Sequence, residues 1–152
     1  MCAKQWKSIS AKGDNALKND NPKLAIYFYT KSMSEAGRMI NETILKFDGD
    51  TAMLGLYTTS CKLLVAACKK ANKQQVIEKY IEDACNSVFD VIRNPGYPLL
   101  IRGKSIRAFE ELFTIFKEAE PEKAYHLIGT KLYELYTYIQ EMQPLAMDIQ
   151  RN

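Results

Sequence analysis

Few residues of this chain could support catalysis. The sequence has one histidine, His126, and four cysteines: Cys2, Cys61, Cys68 and Cys85. A single histidine excludes sites that need two, and it leaves a cysteine–histidine pair open. His126 lies between Tyr125 and Leu127 in a helical pattern, which indicates a partly buried helical residue. The chain also lacks a Walker loop, a dinucleotide glycine fingerprint and a zinc-protease motif. We predict that the protein is not an enzyme.

The possible metal ligands do not complete a known site, so we expect neither a metal nor a cofactor. Cys61 and Cys68 are seven residues apart and share one face of a helix. Structural zinc sites use four ligands, often in Cys-x-x-Cys pairs, and no such pair is present. The segment from Asp48 to Asp50 resembles the start of a calcium loop but lacks the later glycine and glutamate. It predicts the end of one helix and an N-cap for the next.

Composition indicates a globular, cytoplasmic chain. The protein has 152 residues, 47% of them hydrophobic and 26% charged, with a net charge of +3. This mild charge does not indicate a nucleic-acid partner. No apolar run reaches the roughly 18 residues of a membrane span, and the N-terminal MCAKQWKSIS lacks the apolar core of a signal peptide. We therefore expect free thiols and no membrane partner.

Apolar residues recur every three or four positions, which predicts helices and no strands. The fold class is therefore all-α, in a single domain over 1–152. Six helices are predicted, at about 4–19, 22–47, 51–71, 73–93, 98–119 and 121–143, with a flexible tail at 144–152. They form three hairpins at about 4–47, 51–93 and 98–143.

The breaks between these helices have recognisable chemistry. Asn21 precedes Pro22, which reads as an N-cap followed by proline in the first helical turn. Asn72 with Gln75 indicates a capping box. Pro22, Asn72 and Pro121 stand at intervals of 50 and 49 residues. Because each precedes a similar helical pattern, they predict equivalent hinges in three successive hairpins.

Residues 6–39 resemble the tetratricopeptide repeat. Gly13-Asp14 and Ala25-Ile26-x-x-Tyr29-x-Lys31-Ser32 carry the resemblance, with Ser32 at a position where the family has alanine. In that family the glycine allows close helix packing, the small residue lies at the crossing and the aromatic residue fills the adjacent space. The later hairpins are degenerate, and the interval near 50 exceeds the family's 34 residues. The resemblance implies three stacked hairpins with long second helices.

The resemblance also implies a concave groove lined by the first helix of each hairpin. Its nine residues would be Ser10, Asp14, Leu17, Cys61, Val65, Cys68, Phe109, Phe113 and Phe116. This apolar groove would accept a helix or an extended peptide. At least one of the three phenylalanine rings is then expected to be partly exposed. The alternative is that phenylalanines at helical spacing belong to the core.

Two other features leave alternatives open. Basic residues without intervening acids occur in two stretches, Lys62, Lys69, Lys70 and Lys73, then Arg93, Arg102, Lys104 and Arg107. They are either a solvated surface or a patch for an acidic partner. The last helix is rich in tyrosine, at Tyr125, Tyr133, Tyr136 and Tyr138. These side chains either cap the fold or form an association surface. The sequence thus predicts an adaptor or chaperone-like protein that binds another protein, and alternatively a homo-oligomer associating through its last helix.

Overall fold

The computed structural model describes residues 2–46 and 52–151, which contain six α-helices and no strand. The helices are α1 (Cys2–Lys18), α2 (Pro22–Lys46), α3 (Ala52–Ala71), α4 (Gln74–Arg93), α5 (Leu99–Ala119) and α6 (Pro121–Arg151). The predicted all-α class is confirmed, and α2 continues through Gly37 without a break. The stop predicted at Asp48 to Asp50 lies outside the described residues.

The predicted end of the last helix at residue 143 is wrong. α6 continues through Pro144 and ends at Arg151. Proline inside a helix lacks the N–H that would bond to the carbonyl four residues earlier, here that of Gln140. Gln140 is exposed, so water can satisfy this carbonyl. The missing bond is therefore tolerated here, and the helix does not end.

The chain divides into two compact units, Met1–Ile81 and Glu82–Asn152, and the division falls within α4. In unit 1, α1 packs on α2, and α2 packs on α3. Trp6 clusters with Ala36, whereas Gly13 faces Tyr29, so α1 and α2 run antiparallel. A smaller contact joins α1 to α3. Unit 1 is therefore built around three successive packed helices, and these define its core.

The turn between α1 and α2 is a Schellman motif, the reversal in which two backbone N–H groups bond back to the last helical turn. The N–H of Asn21 donates to the carbonyl of Ala16 at 2.8 Å, and that of Asp20 donates to Leu17 at 3.1 Å. Asp20 has a φ of 57°, in the left-handed region. The side chain of Asn21 then accepts the N–H of Leu24 at 3.3 Å, which agrees with the predicted N-cap.

The turn between α3 and α4 has the same motif, which corrects the predicted capping box. The N–H of Lys73 donates to Cys68 at 2.9 Å, and that of Asn72 donates to Lys69 at 3.3 Å. Asn72 has a φ of 55°, so it ends α3, and α4 begins two residues later. The third hinge differs, since Glu120 alone separates α5 from α6, with a φ of −143°. The first two hinges share their geometry, and the third does not.

Asp20→Gly is expected to raise the free energy of unfolding by about 0.5–1 kcal/mol. A residue with a Cβ is strained in the left-handed region, and glycine is not. Asp20 is exposed, so the substitution removes little packing. Urea denaturation measures the effect, with Asp20→Ala as the control that retains the strain. A lower midpoint for the glycine variant than for the alanine variant would contradict this account.

Unit 2 contains the second part of α4 together with α5 and α6. Arg102 lies near Ile92 and Phe109 near Phe89, so α5 runs antiparallel to α4. Lys131 contacts Asn86 and Tyr138 contacts Phe89, so α6 runs parallel to α4. The helices of unit 2 therefore alternate in direction around an aromatic core.

Candidate functional site

The crossing of α1 and α2 has the close packing that the family resemblance implies. A Cβ on Gly13 would lie 2.5 Å from Cε1 of Tyr29, so only glycine leaves room for that ring. Ala25 and Tyr29 are both fully buried. The Tyr29 hydroxyl donates to Oδ1 of Asp14 at 2.6 Å. These contacts hold α1 close to α2, and they leave no room for a larger side chain at position 13.

A buried polar junction joins the three helices of unit 1. Nε1 of Trp6 donates to Oγ of Ser60 at 2.7 Å, and the Ser60 hydroxyl donates to the carbonyl of Leu56 at 2.8 Å. Ser32 lies 3.5 Å from Ser60 and donates to the carbonyl of Tyr29 at 3.0 Å. Each of these hydroxyls has a partner, so the junction is a structural network and not an exposed reactive site.

Unit 1 is expected to lose stability as the pH rises above about 10. Burial, followed by the hydrogen bond to Asp14, raises the pKa of Tyr29 above its ordinary value. A group whose pKa is raised by folding stabilises the fold below its unfolded pKa, and this stability is lost as the pH rises toward the folded pKa. Urea midpoints measured between pH 8.5 and 11 should therefore fall more steeply for the native protein than for Tyr29→Phe. Parallel slopes would show that Tyr29 does not titrate with unfolding.

Most of the nine predicted groove residues are in the interior. In unit 1, Ser10, Cys61, Val65 and Cys68 are buried, Leu17 is half-buried and Asp14 is exposed. The carboxylate of Asp14 accepts a hydrogen bond from the Tyr29 hydroxyl. Oγ of Ser10 has no hydrogen-bond partner within the described part of the chain. The assignment of these residues to a partner-binding groove stays a prediction, and in the free protein Asp14 and Leu17 alone among them reach the surface.

The three phenylalanines belong to the core of unit 2. Phe109 and Phe116 are fully buried and Phe113 is 6% exposed, so the expectation of a partly exposed ring is wrong. Phe109 packs on Phe89 with ring centroids 5.6 Å apart, and Phe113 lies 5.4 Å from the ring of Tyr125. Helical spacing placed the three rings on one face correctly. It did not show that neighbouring helices cover that face.

The cysteines and the histidine do not form a reactive site in the residues described. Cys61, Cys68 and Cys85 are buried and are not disulfide-bonded, and burial raises the pKa of Cys68 to about 11. A thiol with so high a pKa is a poor nucleophile at neutral pH. His126 is exposed, so its predicted partial burial is wrong. In the described ranges, no three His, Cys, Asp or Glu side chains are grouped as metal ligands.

The two basic stretches are mostly exposed, with one exception. Arg102 is buried and donates from Nε to the carbonyl of Ile92 at 2.8 Å. Ile92 lies at the C-terminal end of α4, where backbone carbonyls lack helical partners and favour a cation. Arg102 therefore caps the C-terminal end of α4. Lys104 and Arg107 are exposed.

The tyrosines of α6 form the most exposed aromatic surface in the described chain. Tyr125, Tyr133 and Tyr136 are 55%, 80% and 62% exposed, and we call them the α6 tyrosine surface. Tyr138 differs, since it is half-buried and packs edge-on against Phe89 with centroids 5.9 Å apart. A Cβ on Gly129 would meet no atom within 4 Å, so the backbone between Tyr125 and Tyr133 is accessible.

Sequence reasoning missed a second exposed apolar surface, on α2. Leu24 is 43% exposed and Tyr27 is 50% exposed, and they lie beside the half-buried Phe28. The signal was available in the sequence, where the periodic apolar stripe that predicts the buried face of α2 consists of Ile26, Tyr29, Met33, Ala36, Ile40, Ile44 and Phe47. Leu24, Tyr27 and Phe28 fall outside this stripe. Apolar residues off that stripe have to be exposed or covered by another element.

The described residues define the chain as an all-α protein of six helices. A scan against protein-family models, a search of curated proteins and a search of solved structures each found no match. In the part of the chain that the structure describes, no helix combines the length and apolar character needed to span a membrane.

Proposed function

We propose that this protein is a non-enzymatic interaction module, an adaptor or chaperone-like protein of the cytoplasm that binds another protein. The observation that carries the proposal is the α6 tyrosine surface. Tyrosine is enriched at protein interfaces because it buries a large apolar area and still satisfies its hydroxyl. Three such side chains on one helix, each more than half exposed, provide a contact area for a partner. The hairpin architecture suits this role, since helical repeats generally bind other molecules.

The proposed contact surface is not the predicted groove. Seven of the nine groove residues are buried, so a partner could reach them only after the helices separate. The α6 tyrosine surface needs no such rearrangement. The tetratricopeptide-like arrangement of all three hairpins is kept as part of the proposal, and it is supported by the packing of Gly13, Ala25 and Tyr29 in the first hairpin.

A second candidate function is self-association through the same surface. The open space above Gly129 favours it, because a glycine without a covering side chain lets a second helix approach closely. Tyr125 and Tyr133 lie about one helical turn to either side of this glycine. A second copy of α6 could then place its own tyrosines beside the first, as expected for an isologous dimer.

The test uses a double variant, Tyr133→Ala with Tyr136→Ala, and a matched control on another side of the helix, Glu134→Ala with Glu141→Ala. All four positions are exposed on α6, so both variants should fold normally. Size-exclusion chromatography with light scattering measures self-association, and immobilised protein is used to capture partners from a native lysate. Loss of a captured protein in the tyrosine variant alone supports the interaction module. Loss of a dimer in that variant alone supports self-association. A monomer with unchanged capture would reject the α6 tyrosine surface in both roles.

A further inference from the structure

The α1–α2 hairpin carries an exposed apolar surface that is separate from the α6 tyrosine surface. Leu24, Tyr27 and Phe28 are spaced three and four residues apart, so they share one side of α2. The rings of Tyr27 and Phe28 meet edge to face, with centroids 5.3 Å apart. We call these three residues, with Lys12 and Lys31, the α2 aromatic patch. It combines apolar area with positive charge.

The two lysines of the α2 aromatic patch lie against rings and not against carboxylates. Nζ of Lys31 is 4.6 Å from the ring centroid of Tyr27, and Nζ of Lys12, from α1, is 6.0 Å from that of Phe28. Neither lysine forms an ion pair with any residue that the structure describes. The interaction of a cation with an exposed ring is weak. Both ammonium groups thus remain available to a carboxylate from another molecule.

Three of the four acids in residues 2–42 of the hairpin, all except Asp20, are already engaged. Asp14 accepts the hydroxyl of Tyr29. Glu35 and Glu42 both bind Arg38, one turn to each side of it on α2. From Glu35 onward, Arg38 is paired with two carboxylates, whereas Lys12 and Lys31 have no carboxylate partner among the described residues.

The charge of the whole unit has the same sign. Residues 1–81 contain 13 Lys and Arg against 7 Asp and Glu, a net charge of +6, whereas residues 82–152 contain 8 against 11, a net charge of −3. The overall charge of +3 conceals this difference. A positive unit attracts acidic partners over distances of about 8–10 Å at physiological salt.

We propose that the α2 aromatic patch binds an amphipathic helical segment of another protein, with apolar side chains on one face and acidic side chains beside them. This inference rests on the proposed binding function and adds the chemistry of a partner. Leu24 to Lys31 spans about two turns of helix, so a partner segment of similar length covers it. Apolar side chains of the partner pack on Leu24 and the two rings, and its carboxylates meet Lys12 and Lys31.

A protein partner fits this surface better than a membrane or a nucleic acid. One side of α2 continues at helical spacing through residues 24, 28, 31, 35, 38 and 42. Glu35 and Glu42 therefore follow the patch directly. These carboxylates outnumber Arg38, and an extended surface of phosphates would be repelled there. A protein segment can end before them.

The experiment uses three fluorescein-labelled helical peptides with the same Leu and Phe face, flanked by Glu, by Gln or by Lys. Fluorescence anisotropy with the full-length protein should show binding of the Glu peptide, at least tenfold weaker binding of the Gln peptide and weakening at high salt. Lys12→Glu with Lys31→Glu should reduce binding of the Glu peptide at least tenfold and strengthen binding of the Lys peptide. Tyr27→Ala should weaken the binding of the Glu peptide and of the Lys peptide alike, because both lose the same apolar contact.

The matched control is Lys69→Glu with Lys70→Glu, which makes the same change in net charge at exposed positions of unit 1. Equal losses in the two reversals, or no binding of the Glu peptide, would overturn the proposal. Anionic phosphatidylserine vesicles and a single-stranded oligo(dT) are tested in parallel. Binding of either that is lost only in the Lys12 and Lys31 reversal would assign the patch to a membrane or nucleic acid instead. The α6 tyrosine variant should bind the Glu peptide normally, so failure of the first proposed surface is distinguishable from failure of this one.

Discussion

Phe109→Ala is expected to lower the free energy of unfolding by about 3–5 kcal/mol, the usual cost of truncating a buried phenylalanine. Phe109 is fully buried and packs on Phe89, so removal of the ring leaves a cavity lined by side chains that cannot move freely. Urea denaturation followed by far-UV circular dichroism measures the loss. This is the largest single effect expected in unit 2, and for a domain of ordinary stability it is a substantial fraction of the total.

Tyr133→Ala is the matched comparison for Phe109→Ala, because it removes an aromatic ring of similar size from a position that is 80% exposed. Its free energy of unfolding should change by no more than about 0.5 kcal/mol, as is usual for surface substitutions. Small losses at both positions would mean that the Phe109 ring is not part of the core. The predicted groove would then again be a candidate for the partner-binding surface.

Gly13→Ala is expected to destabilise the protein by about 1–3 kcal/mol, the usual cost of overpacking. In an ordinary helix the same change is favourable by roughly 0.5–1 kcal/mol. Here the new Cβ would lie 2.5 Å from Cε1 of Tyr29. The ring cannot rotate away freely because its hydroxyl is held by Asp14. The sign of the effect therefore distinguishes a glycine that provides space from one that merely occupies a helix.

A double-mutant cycle tests the cause of this effect. Tyr29→Leu removes the atoms that a Cβ at position 13 would meet, so Gly13→Ala should become neutral or stabilising in that background. Ala25→Leu examines the same crossing from α2, where Ala25 is fully buried, and should also cost about 1–3 kcal/mol. An unchanged urea midpoint for Gly13→Ala in the native background would show that α1 and α2 can separate at no cost.

Local chemistry predicted the helices of this chain well. Asn21 and Pro22 specify the start of α2 through a side-chain cap and a missing N–H, and both signals are local. Pro121 specifies the start of α6 through its missing N–H alone. The end of α6 was mispredicted because the effect of Pro144 depends on whether solvent can satisfy one carbonyl. That condition is not visible in the residue itself.

The candidate surfaces were harder to predict, because periodicity shows which residues share a face but not which neighbour covers it. Phe109, Phe113 and Phe116 share a face, yet the structure places it in the core of unit 2. Leu24 and Tyr27 lie off the buried stripe of α2, and nothing in the sequence shows that they stay exposed. Whether a helix face is covered depends on contacts between segments that are far apart in the sequence, so only the structure shows it.

Trp6 gives unit 1 an optical probe of its own. It is the single tryptophan of the chain, and its indole is 8% exposed in unit 1, where it bonds to Ser60. Intrinsic fluorescence excited at the red edge of the absorption band therefore reports the environment of Trp6 in the core of unit 1. Far-UV circular dichroism reports both units together. Superimposed melting curves from the two signals would indicate one cooperative folding unit, and separated curves would indicate that the halves of the chain fold independently.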